Sequence, residues 1–112
     1  MLILPIKRKW FDMIRSGEKK EEYREIKPYW TRRFEKIYFS KRLTPEKIHS
    51  LKRYTTLPAE IMFRNGYRRD SPYIRCFCSL TVGQGKEEWG AEKRKRVLCT
   101  WDIGGAGKWK LK

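Results

Sequence analysis

Between Tyr73 and Val82 the chain alternates without a break. Ile74, Cys76, Cys78, Leu80 and Val82 take every second place, and Arg75, Phe77, Ser79 and Thr81 stand between them. Successive side chains of a strand point to opposite faces, so this period of two commits the stretch to a strand with one apolar face. Such a strand needs neighbours and a covering layer. Residues 2–6, 20–26, 36–40, 59–63 and 97–103 supply further strand candidates. In the first of them Pro5 marks an edge or a strand end. Asn65-Gly66, after the fourth, is a tight-turn signal.

Helical spacing is confined to short pieces. Trp10, Phe11, Met13 and Ile14 predict a helix over 8–16, stopped by Gly17. Thr44-Pro45 has the form of an N-cap followed by a first helical residue, and predicts a helix to about Arg53 with Ile48 and Leu51 facing inward. Pro28-Tyr29-Trp30 opens a turn or short helix through Phe34. Strands joined by turns, without regular crossover helices, argue against a doubly wound parallel sheet. The expectation is an α+β protein, a small mixed β-barrel with short helices packed at its ends. One domain covers 1–112, with a helical insert at about 41–58 and a flexible basic tail at about 104–112.

Charge narrows the partners. Lys and Arg number 28 against 13 Asp and Glu, a net charge of +15. That field attracts polyanions, RNA and DNA alike; its plainer consequence is a self-repelling surface. No long basic amphipathic helix points to a membrane surface, and no run approaches the ~18 apolar residues of a span. The three cysteines, Cys76, Cys78 and Cys99, are an odd number and suit free thiols in the cytosol. Cys76 and Cys78 share a face, but no second Cys or His pair joins them, so neither a metal nor a cofactor is expected. His49, the single histidine, is read as structural.

The densest chemistry lies at Gly17 to Arg24. Gly17 releases the helix, Lys19 sits at the turn, and Glu22 and Arg24 fall on one face of the next strand. A lysine, a carboxylate and a guanidinium converging there can bind an anion, read a base edge or move a proton. The alternative is a solvated strand with an ordinary Glu–Arg pair, worth ~0–1 kcal/mol. Lys19 titrates normally at ~10.4. Burial and Arg24 would lower that value and Glu22 would raise it, which favours a charged, binding lysine over a reactive one.

The pattern G-x-K-x-x-E-x-R, filled by Gly17, Lys19, Glu22 and Arg24, resembles the motif of the ASCH family, and Trp10 to Ser16 resembles the helix that leads into it. The resemblance is strongest over residues 1–30 and extends over 61–103. It implies a barrel related to the PUA fold and a cleft in which the motif faces RNA or a nucleotide. Some relatives deacylate N4-acetylcytidine and others resemble ribonucleases. In the deacylating branch the motif lysine is catalytic, a threonine occupies the place of Glu22, and a separate glutamate, here Glu87 or Glu88, completes the set. Glu22 in the threonine's place departs from that branch.

Around the tight turn, Phe63-Arg64-Asn65-Gly66-Tyr67-Arg68-Arg69 interleaves aromatic and basic residues. Tyr67 can stack on a base while Arg64, Arg68 and Arg69 meet phosphates, or the segment is a solvated hairpin with Phe63 and Tyr67 in the core. Trp30 and Trp89 each read as core or as pocket lining, and the run Lys93 to Arg96 as solvated loop or phosphate contact. Three functions follow. The first is a binding module using Lys19, Arg24, Trp30, Arg64, Asn65 and Tyr67, with Glu22 orienting Arg24. The second is a hydrolase on an acylated nucleoside or RNA, with Lys19 and Glu22 catalytic. The third is an interaction protein whose charge serves solubility or docking.

Overall fold

The computed structural model describes residues 2–39, 43–93, 95–102 and 110–111. The long alternating strand, β4 (Tyr73–Gln84), is the centre of the sheet. Its alternate residues Ile74, Cys76, Cys78, Leu80 and Val82 are buried as the period of two requires, and Phe77 on the other face is exposed. β1 (Leu2–Pro5), β2 (Glu21–Arg24), β3 (Ala59–Arg64) and β5 (Arg96–Asp102) complete the spatial order β1-β3-β4-β5-β2. β1 runs parallel to β3 and the other pairs are antiparallel. The sheet curls into a half-barrel. The predicted basic tail lies outside the described residues except for β6 (Lys110–Leu111), which pairs with Ile74 and Arg75.

β4 changes partners along its length. Residues 73–78 pair with β3, whereas 78–84 pair with β5 on the opposite edge. Beyond Cys78 the edge that β3 leaves is taken by the predicted insert. Val82 N–H donates to the Leu51 carbonyl at 3.0 Å and Thr56 N–H to the Leu80 carbonyl at 3.1 Å. The Thr56 hydroxyl accepts from Leu80 N–H at 2.8 Å. The insert's helix, α3 (Pro45–Ser50), begins at Thr44, whose hydroxyl caps Lys47 N–H as predicted, and is shorter than the sequence suggests.

Two other helices cover the concave side. α1 (Arg8–Ser16) buries Phe11 and Ile14 and ends on Gly17, left-handed at φ 87°. α2 (Pro28–Tyr38) corrects the expectation of a strand over 36–40. Ile37-Tyr38-Phe39 favours a strand locally, but Trp30, Phe34, Ile37 and Tyr38 recur at the helical interval and pack together on the core. Phe34 is fully buried, and the Tyr38 hydroxyl donates to the Cys78 carbonyl at 2.6 Å. Pro28 holds the first helical position, where it costs no hydrogen bond. Among the described residues, no helix is long and apolar enough to cross a membrane.

Candidate functional site

β1 and β2 are the two ends of the strand order, and the curl of the sheet brings their free edges together without closing the barrel. Arg24 spans the gap. Its Nη2 donates to the Pro5 carbonyl on β1 at 2.9 Å, while Nη1 donates to Glu22 Oε2 and to the Tyr23 carbonyl, both at 2.7 Å. The unclosed seam is a cleft of about 590 Å³.

Glu22 lies at the base, 7% exposed, with a cation on each oxygen. Arg24 holds Oε2, and Lys19 Nζ stands 3.1 Å from Oε1. Gly17 makes this possible: its left-handed turn lets Lys19 N–H return to the Met13 carbonyl at 2.9 Å and aims the side chain inward. The Lys19 ammonium also donates to the Trp89 carbonyl. It rests between the rings of Trp10 and Tyr23, 5.0 and 4.9 Å from their centroids.

Burial lowers the proton affinity of Lys19 below the ordinary lysine value; Glu22 pulls it back up, and Arg24 pushes in the same direction as burial. The net direction is downward, so desolvation outweighs the carboxylate that the sequence reading weighed more heavily. Lys19 is fully buried and lies beneath the cleft instead of lining it.

Aromatic rings form the sides. Trp10 on α1 and Trp89, at the end of the Glu87–Trp89 turn of 3-10 helix, line the cleft together with Tyr29 and Trp30 on α2. Gly90, at φ 100°, lets that turn lie against Trp10; a Cβ there would stand 3.1 Å from the indole. Nearly every ring carries a cation. Arg24 lies 4.9 Å from the centre of Trp30, Arg33 3.6 Å from Tyr29, Lys9 4.6 Å from Trp10 and Lys86 4.4 Å from Trp89. Lys7 and Arg33 add positive charge to the lining, and Arg33 Nη1 donates to the Tyr29 carbonyl at 2.7 Å.

The predicted residues divide by place. Glu22, Arg24, Trp30 and Tyr67 meet in the cleft. Asn65 does not line it: its amide donates to the Ile6 carbonyl at 3.1 Å, and its side chain borders an adjoining hollow. Arg64 lines neither and lies 3.7 Å from the Met62 sulfur. The hairpin splits the two readings made of it, with Phe63 in the core and Tyr67 exposed. Glu87 and Glu88 are exposed and outside the cleft; the turn contributes Trp89 in their stead. His49 is exposed on α3. Lys95 of the basic run pairs with Glu25 and Glu92 at 3.7 and 3.6 Å.

Sequence reasoning did not name Trp10, Lys7 or Arg33 as site residues. Trp10 falls on the apolar spacing of α1, yet Phe11 and Ile14 fill that core while Trp10, one residue aside, is turned toward the seam. Its partner Trp89 stands far along the chain, and no local pattern joins them. Compared with protein-family models, with curated proteins and with solved structures, the chain matches none of them.

Proposed function

We propose that this chain is an ASCH-type, PUA-like module that binds RNA or a modified nucleotide in the cleft between β1 and β2. The observation that carries the reading is the lining itself: aromatic rings and cationic side chains surround a buried carboxylate–guanidinium pair in one cavity. Such a lining suits a heteroaromatic base with a phosphate attached. The base stacks against Trp30 or Trp10, its N–H groups donate to the remaining lone pairs of Glu22, and Lys7 and Arg33 meet the phosphate. A cationic ligand is disfavoured, because Lys7, Arg24 and Arg33 line the cavity with like charge. Glu22, held by Lys19 and Arg24, acts as a fixed acceptor. The motif's place on β2, after a strand and a Gly-ended helix, supports the ASCH resemblance.

Fluorescence titration with single-stranded RNA at two salt concentrations tests this. Binding should weaken steeply with salt. Trp30→Ala should weaken it about tenfold, as loss of one base–aromatic stack does. Absence of binding at low salt, or indifference to Trp30→Ala, would remove the reading. A hydrolase using Lys19 and Glu22 is the second reading, favoured by the burial that lowers the proton affinity of Lys19. Turnover of RNA or N4-acetylcytidine by the wild type, lost in Lys19→Ala, would put catalysis ahead of binding alone.

A further inference from the structure

The cleft does not end at the seam. A second hollow of about 400 Å³ lies beside it and is bordered by Asn65 and Gly66 of the β3–β4 hairpin. The two share Pro5, Ile6, Lys7 and Tyr67, so the chain leaving β1 forms the divide, and Lys7 and Tyr67 border both hollows.

Tyr67 is 87% exposed and lines both hollows. Its loop is nonetheless held at several points. Asn65 N–H donates to the Pro72 carbonyl at 3.0 Å, and the Asn65 amide ties the loop to the Ile6 carbonyl at 3.1 Å. Arg68 N–H donates to the Ser71 hydroxyl at 3.1 Å. Gly66 supplies the left-handed backbone at φ 125°, where a Cβ would collide with Ser71 Oγ at 2.6 Å. An exposed ring on an anchored loop is a stacking platform whose ordering cost is already met by the fold.

From this we infer that the ligand is a strand and not a single nucleotide: one nucleotide occupies the cleft, its neighbour stacks on Tyr67 in the second hollow, and the phosphodiester between them crosses the divide on Lys7. This rests on the nucleic-acid reading of the cleft and adds to it the substrate class and a second subsite. A cation and an exposed ring shared by two adjoining hollows, the larger of them lined by further rings, match the repeat of a single strand, in which charge alternates with a stacking face. A single nucleotide would engage Lys7 but leave the Tyr67 platform without a partner.

The test compares the common ribonucleoside 5′-monophosphates with the matching 5′-phosphorylated homodinucleotides, titrated by calorimetry or NMR. The wild type should bind the dinucleotide about tenfold more tightly than the mononucleotide, the gain expected of one added stack and phosphate contact. Tyr67→Ala should bring that ratio close to one, and Tyr67→Phe, which keeps the ring, should restore it. Trp30→Ala should weaken both ligands in parallel. A wild-type ratio near one with the mononucleotide bound, or a ratio that survives Tyr67→Ala, overturns the second subsite while leaving the cleft standing. Failure of both ligands and of longer single strands to bind overturns the cleft reading, and the subsite with it. Since Tyr67 is almost wholly outside the core, its truncation leaves the fold intact.

Discussion

Among the described residues, the sheet has two gaps that the chain treats differently. On β4, beyond Cys78, the edge that β3 leaves is covered by main chain: Leu51 and Thr56 supply the missing donors and acceptors, and the Ser79 and Thr81 hydroxyls add bonds to the same segment at 2.8 and 2.6 Å. Between β1 and β2 one side chain, Arg24, spans the gap. Backbone pairing satisfies an edge and leaves no room beside it. A side-chain bridge leaves a cavity whose walls are the groups that built it. The insert gap is therefore structure, and the seam gap is the place where the fold keeps buried charge.

If that division holds, substitutions at the two gaps should separate stability from binding. The largest effect belongs to Glu22→Ala. It strips the carboxylate from two cations, one of them fully buried, and breaking a buried pair in this way costs about 3–5 kcal/mol. Urea denaturation should show that loss, and RNA affinity should fall with it. A change below about 1 kcal/mol would mean that the seam is solvated like an ordinary surface pair.

Leu51→Ala probes the other gap. Leu51 is buried in the core at the point where its carbonyl meets β4, so the truncation should cost about 2–3 kcal/mol through the cavity it leaves. RNA affinity, measured well below the unfolding midpoint, should stay within about twofold. A loss of affinity as large as that of Glu22→Ala would join the two gaps into one functional unit.

The same contrast governs what was legible in the sequence. The pairing of Lys19, Glu22 and Arg24 could be read because the three are near neighbours and strand parity alone aligns Glu22 with Arg24. Ile74 to Val82 was legible for the same reason. The α2 stripe was present at positions 30, 34, 37 and 38, but the aromatic and β-branched triplet at 37–39 masked it, and tertiary packing of Phe34 decided the outcome. The aromatic sides of the cleft were legible only in part: Trp30 and Tyr67 were candidates for the site and Trp89 read as core or lining, but Trp10 read as core. Trp10, Trp30 and Trp89 come from three elements, and only the curl of the sheet brings them to one cavity. The partner of the β4 edge was equally hidden, because Leu51 and Thr56 pair through main-chain groups and one hydroxyl that leave no periodic trace.

The smallest effect concerns the charge kept beneath the seam. Folding lowers the proton affinity of Lys19 by desolvation, so the unfolded chain binds that proton more tightly than the folded one. Stability linked to Lys19 must then rise with pH between its depressed folded value and the ordinary value of 10.5, and fall as pH drops through the folded value. Cys99 runs the other way: burial pushes its thiol up to about 12, so the stability it contributes is present below 9.0 and lost as pH climbs. Tyr38, raised by burial, behaves likewise. Whole-protein stability mixes these opposing slopes, whereas the difference between wild type and Lys19→Met cancels the groups common to both. Methionine keeps the stem between Trp10 and Tyr23 and removes the proton. As pH rises toward 10.5 that difference should move steadily in favour of the wild type. A flat difference would mean that Glu22 and the ring faces fully offset the burial of the ammonium, and that the seam holds its charge at no greater cost than the exposed pairs elsewhere on the surface.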